Sequence, residues 1–183
     1  MTVKEVITIA AAELGLKERV RAYFEEQDAD GERVASLLLD CFNLVLNEVV
    51  LDYLPMTAED ELTSSTGSLS YLLFEYPVVR VLQVLNGEGE SVPFQIFPEY
   101  LKTQPGRVRV QYTYTPERKG FNDDAALGSI ISARLISYGM AAEYALASGL
   151  FEEAAAWDKK YKAAIAAAYR AHPAKKIQSR RWV

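Results

Sequence analysis

Residues 71–114, YLLFEYPVVRVLQVLNGEGESVPFQIFPEYLKTQPGRVRVQYTY, break with the helical spacing of apolar residues on either side and decide the fold. Tyr71 to Tyr76, Val78 to Leu85, Val92 to Phe97 and Arg107 to Tyr114 are rich in β-branched and aromatic residues, are punctuated by Gly or Pro, and read as strands. Asn86-Gly87 between two apolar runs signals a hairpin turn, because both turn positions favour positive φ. In the last strand Val108, Val110, Tyr112 and Tyr114 alternate with Arg107, Arg109, Gln111 and Thr113. That alternation predicts a sheet buried on one side and wet on the other.

Downstream, Thr115-Pro116 ends the sheet and Asn122-Asp123-Asp124 offers caps for a helix from Ala125 to Ser148, with Leu127, Ile130, Ile131, Leu135, Tyr138, Ala142 and Leu146 on its stripe. Gly149 breaks it as a C-cap. Leu150 to Ala171 forms a second long helix, with Phe151, Ala154, Trp157, Tyr161, Ile165 and Tyr169 on the face expected to be core. Its many alanines permit close helix approach, and the short link makes the pair an antiparallel hairpin.

Upstream, Thr2 and Glu5 have capping-box spacing, and Val6, Ile9, Ala10 and Leu14 extend a helix over Val3 to Leu14. Gly15 breaks it, and a shorter helix follows from Lys17 to Glu26. After the turn-rich Gln27 to Gly31, with Asp30 as cap, Val34, Leu37, Leu38, Cys41, Leu44, Val45 and Val49 trace one apolar stripe. Glu32, Asp40, Asn43, Asn47 and Asp52 are assigned to the opposite face, and Pro55 stops the helix. Glu59-Asp60-Glu61 and Thr63 to Ser70 read as an acidic, Ser/Thr-rich loop. The fold class is therefore α+β, a helical bundle with an inserted antiparallel β module and an extended C-terminal arm. Its parts are the N-terminal helices (1–56), the loop and β module (57–116), the C-terminal helical hairpin (117–172) and the arm (173–183).

Half of the 183 residues are hydrophobic and a quarter charged, as in ordinary folded proteins. No apolar run approaches the roughly 20 residues a membrane helix needs, and the N-terminus lacks a secretory apolar core, so no membrane role is expected. Cys41, the only cysteine, excludes intramolecular disulfides and reads as a buried apolar thiol. The net charge of −5 is unevenly spread: residues 1–62 carry 14 acidic and 5 basic side chains, 63–172 carry 11 of each, and 173–183 carry 4 basic and no acidic ones. An acidic end and a basic end suit head-to-tail contact between copies, or docking on a charged partner. An acidic body is poorly suited to gripping nucleic acid.

The arm holds Lys175, Lys176, Ile177, Arg180, Arg181, Trp182 and Val183, too few apolar residues to fold alone. Pro173 ends the preceding helix, and Trp beside two arginines is the composition of an interface anchor. No phosphate-binding glycine loop, His-Glu-x-x-His, Cys-x-x-Cys or Gly-x-Ser-x-Gly pattern occurs. The sole histidine, His172, stands at a helix end, which suits capping of carbonyls. Glu59, Asp60 and Glu61, and Asp123 and Asp124, are the remaining carboxylate clusters, and both read as solvated patches or caps. No catalytic, cofactor or metal site is expected, and the protein is not read as an enzyme.

Taken in order, Thr2 to Ala11 with its helix, Phe42-Asn-x-x-Leu-Asn-Glu48 running to Asp52-Tyr53-Leu54-Pro55, Val78-Val-Arg-Val-Leu-x-Val84, Val108-x-Val-x-Tyr-x-Tyr-x-Pro116, the hairpin Glu143 to Tyr161 and the terminal Arg180-Arg181-Trp182 resemble the head-to-tail connector proteins of tailed bacteriophages, of the adaptor or head-completion kind. The resemblance implies a virion protein, made in the host cytoplasm and placed at the head-tail junction. It would form a homo-oligomeric ring, commonly of twelve, under the portal protein, with DNA passing through the lumen unbound and tail or neck proteins downstream. It also implies that the arm, Lys175 to Val183, reaches the portal. The strongly acidic first third departs from the family's pattern, and the β module is larger than the smallest, all-helical members have. Competing readings are a stopper or tail-completion protein whose β module makes the ring, and a small DNA-processing or DNA-binding factor.

Overall fold

The structure is a computed structural model that describes residues 1–125, 127 and 131–171. The fold is α+β, and the chain divides into two compact units. One consists of Met1–Leu46 together with the chain from Arg118 onward, and the other is Asn47–Glu117, inserted in sequence between them.

The first unit is helical: α1 (Val3–Glu13), α2 (Lys17–Glu26), α3 (Ala29–Glu48), α4 (Ala133–Ala147) and α5 (Phe151–Ala171). The Thr2–Glu5 capping box forms as expected, and α2 has the expected bounds, with Gln27 left-handed at its end. Beyond the box, the leading amides of α1 find partners across the unit: Val3 N–H donates to Asp123 O (3.0 Å) and Lys4 N–H to Phe121 O (2.9 Å). The carbonyls of Phe121 and Asp123 therefore serve α1, and among the described residues Asn122 to Asp124 start no helix. The helix expected from Ala125 starts only at Ala133, where the Ser132 hydroxyl accepts from Leu135 N–H. Similarly, Asp28 caps α3 by accepting from Gly31 N–H at 2.8 Å, so Asp30 lies inside the helix.

Gly149, at φ +75°, turns the chain between α4 and α5 as expected, and the two helices pack as a hairpin. The core of this unit joins Val6, Ile7 and Ala10 of α1, Leu38, Phe42 and Val45 of α3, Leu135, Ile136 and Met140 of α4, and Tyr161 and Ile165 of α5. Gly139 lets α4 approach closely, since a methyl group there would lie 2.6 Å from Val45 Cγ1 and 3.0 Å from Tyr161 Cε2. Two faces differ from expectation. On α3, Asn43 is buried and Leu44 exposed; on α5, Phe151 is 70% exposed and Trp157 only half-buried.

The stretch Ala29–Tyr53, which ends in a π-helical turn (Val49–Tyr53), is long and apolar enough to cross a membrane by length and composition, contrary to the sequence reading. Its Leu38, Cys41, Phe42, Val45 and Leu46 are buried within the protein, the placement of a core helix.

The second unit holds two antiparallel sheets. The larger has the order β1 (Met56–Ser64), β6 (Gly106–Tyr114), β3 (Val78–Asn86); the smaller has β2 (Ser68–Ser70), β5 (Tyr100–Lys102), β4 (Gln95–Ile96). The expected acidic loop is thus largely strand. Met56, Ala58, Asp60 and Leu62 alternate inward, while Glu59 and Glu61 face out and pair with Arg109 and Arg107 of β6. Those cross-strand charge pairs offset the weak strand propensity of Asp and Glu.

Tyr71 to Tyr76 is not a strand. It forms a 3-10 turn (Tyr71–Leu73) started by Ser70, whose hydroxyl accepts from Leu72 N–H. The expected strand from Val92 shrinks to β4, whereas β3 and β6 match their expected positions. The hairpin turn after β3 is present, but its positive φ falls at Gly89 (+83°) and not at Asn86 or Gly87. Gly89 N–H donates to Asn86 O at 3.0 Å, the three-residue loop in which a tight turn is followed by a left-handed glycine. Val81, Val84, Val108, Val110 and Tyr112 of the larger sheet close over Leu69, Phe74 and Leu101 to form this unit's core.

Candidate functional site

The carboxylates that could carry chemistry are engaged structurally. Asp60 Oδ2 accepts both the Tyr112 hydroxyl (2.8 Å) and Glu75 N–H (2.8 Å), and the same hydroxyl accepts from Tyr76 N–H at 3.3 Å. This network pins the segment after the 3-10 turn against the sheet. Burial, reinforced by the hydrogen bond to Asp60, pushes the Tyr112 phenol up to about 12. Glu59 accepts from Gln111 Nε2 at 2.6 Å besides its ion pair with Arg109. Asp123 Oδ2 accepts from Gly120 N–H at 2.7 Å, and Asp124 faces the N-terminal amine at 3.9 Å. Cys41 is buried, and desolvation, followed by the negative charges of Glu143 and Asp40, pushes its thiol up to about 12. A thiol so held is a poor nucleophile.

Among the described residues no group of three His, Cys, Asp or Glu side chains is arranged to hold a metal ion. His172 and all the arm residues, Lys175, Lys176, Ile177, Arg180, Arg181, Trp182 and Val183, lie outside the described residues.

What the described surface does offer is apolar area in water. On the β unit a groove of about 830 Å³ runs between the 3-10 turn, the start of β3 and the chain around β4. Leu72 (95% exposed), Val79 and Ile96 line it beside Phe97, with Glu75, Glu117 and Arg80 as its charged members. Phe97 is held by stacking on Tyr100, ring centroids 4.7 Å apart. On the helical unit, Leu146, Leu150 and Phe151 are exposed at the turn of the α4–α5 hairpin. Sequence reading missed the groove because its residues come from three separate segments, each taken for a strand, whereas the first is a 3-10 turn. Its one local signal was the run of adjacent apolar residues Leu72-Leu73, which cannot both face a core in a strand.

Comparison with known families finds no matching family model, and comparison with curated proteins finds no match.

Proposed function

We propose that this chain is a structural subunit of a homo-oligomeric ring at the head-tail junction of a tailed-bacteriophage virion. The ring joins the portal to downstream tail or neck proteins, and DNA passes through its lumen unbound. The observation that carries the reading is the pair of separate exposed apolar surfaces, the β-unit groove and the end of the α4–α5 hairpin. A ring contact is heterologous and needs two different patches on each subunit. The acidic body suits a channel along which DNA slides without sticking.

Lys175, Lys176, Arg180 and Arg181, with Ile177, Trp182 and Val183, form the arm that attaches each subunit to an acidic portal groove. Exposed ion pairs contribute about 0 to 1 kcal/mol each and a buried aromatic anchor about 2 or more, so Trp182 outweighs any single cation. Repetition around a ring turns modest arm energies into tight attachment. The test is co-sedimentation with portal, together with the native mass of the complex. Full-length protein should join portal as a multimer, and a chain lacking 175–183 should stay folded and fail to join. Normal attachment of the truncated chain, or no attachment of the full chain, overturns the reading.

A further inference from the structure

The β unit is the more acidic of the two units: residues 47–117 carry 10 acidic and 4 basic side chains. Two of the four cations, Arg107 and Arg109, are already paired with Glu61 and Glu59 on the outer face of the sheet. The groove on this unit combines an apolar floor with exposed Glu75 and Glu117, against the single cation Arg80. Only one segment of the sequence has the opposite composition. Residues 175–183 hold four cations, no carboxylate side chain, and Ile177, Trp182 and Val183.

We infer that the β-unit groove is a docking site for the basic, Trp-bearing C-terminal segment of a second copy of this chain. Trp182 and Ile177 fill the floor formed by Leu72, Val79 and Ile96, and the cations face Glu75 and Glu117. The 12 residues after Ala171 reach at most roughly 40 Å when extended, enough to leave one molecule and lie along another. The contact is head-to-tail, because each copy has one segment to give and one groove to fill. It does not rest on the connector reading. If both hold, the segment fills the groove until portal takes it, and only then is the groove free for the ring contact.

Sedimentation velocity on the full-length protein over a concentration series tests the inference with two complementary variants. In the first, Leu72→Glu and Ile96→Glu spoil the groove at side chains that are 95% and 61% exposed, so the fold is retained. In the second, Lys175→Glu, Lys176→Glu, Arg180→Glu, Arg181→Glu and Trp182→Ala spoil the segment. The wild type should self-associate, less so as salt rises. Each variant alone should be monomeric, and an equimolar mixture should form a heterodimer that grows no further.

A gentler variant, Glu75→Lys with Glu117→Lys, should weaken association about tenfold or more and guards against misfolding of the first. A monomeric wild type, groove variants that associate as well as wild type, or a mixture that stays monomeric overturns the inference. Portal co-sedimentation is a separate readout, so failure of the connector reading leaves this result standing.

Discussion

The hydroxyl of Tyr112 on β6 donates to Oδ2 of Asp60 on β1 at 2.8 Å, from a side chain that is fully buried. The pair turns an acidic residue on the inward face of a strand into a fixed acceptor, which also takes Glu75 N–H. Asp60→Ala should therefore destabilise by about 1 to 3 kcal/mol, since it strands a buried hydroxyl and an amide. Glu61→Ala, which removes only an exposed ion pair, should cost less than about 1 kcal/mol. Urea titrations of the two variants check the contrast, and equal effects would refute the network.

Two buried groups make the fold sensitive to alkaline pH. Tyr112 is raised from its ordinary 10.0, and Cys41 from 9.0, each to about 12. Both are held neutral by burial, so the unfolded chain loses these protons first as pH rises. The stability they contribute is complete below about pH 9 and falls away between there and pH 12. The drop in unfolding free energy from pH 8 to pH 11 should be smaller in Tyr112→Phe and in Cys41→Ala than in wild type. An unchanged drop in both would contradict it.

Gly139 on α4 faces Val45 on α3 and Tyr161 on α5 at distances that leave no room for a methyl group. Gly139→Ala gains about 1 kcal/mol of helix propensity but overpacks at a cost of about 1 to 3. The net effect should be a loss near 1 kcal/mol. Adding Val45→Ala should recover part of it, because the clash is removed, so the two changes will not add. Additive losses in thermal melts would place the strain elsewhere.

Trp157 illustrates what helical periodicity alone overstates. It shares the heptad-like face of Ala154, Tyr161 and Ile165, yet it is half-buried, tilted against Tyr138 at 5.8 Å between centroids, with Lys160 Nζ 3.8 Å above its ring. Trp157→Ala should cost about 1 to 2 kcal/mol, below the 3 to 5 of a fully buried Trp. Iodide should quench part of its emission, measured in a Trp182→Phe background.

Features that depend on near neighbours were legible in the sequence: the Thr2–Glu5 box, the Gly149 turn, and the alternation of Val108, Val110 and Tyr112. Those whose partners lie far along the chain were not. β1 looked like a loop because the charges that match its Glu59 and Glu61 are Arg109 and Arg107, about 50 residues on. The start of α4 was misplaced because Asn122 to Asp124 look like caps, whereas this stretch meets α1, with Phe121 O and Asp123 O accepting the amides of Lys4 and Val3. The groove was hidden for the same reason, since Leu72, Val79 and Ile96 meet only in the folded unit.

Asn43 is the sharpest such case. It reads as a polar surface residue of α3, but its amide donates to Leu39 O (2.9 Å) and Lys119 O (3.0 Å) and accepts from Lys119 N–H (2.7 Å). It thereby clamps the chain where it returns from the β unit. Asn43→Leu should cost about 1 to 3 kcal/mol by stranding the Lys119 amide and carbonyl. Asn43→Asp keeps the acceptor but turns the donor edge into a charge facing two carbonyl oxygens. Burial and those oxygens favour the protonated acid in the folded state, raising its pKa above the unfolded value of about 3.9. Relative to wild type at the same pH, this variant should therefore be closest to normal below about pH 4 and lose stability as pH rises toward neutrality. Denaturation of wild type and Asn43→Asp at pH 4 and pH 7 measures the gap. A gap that does not widen with pH would mean that Asn43 points to water.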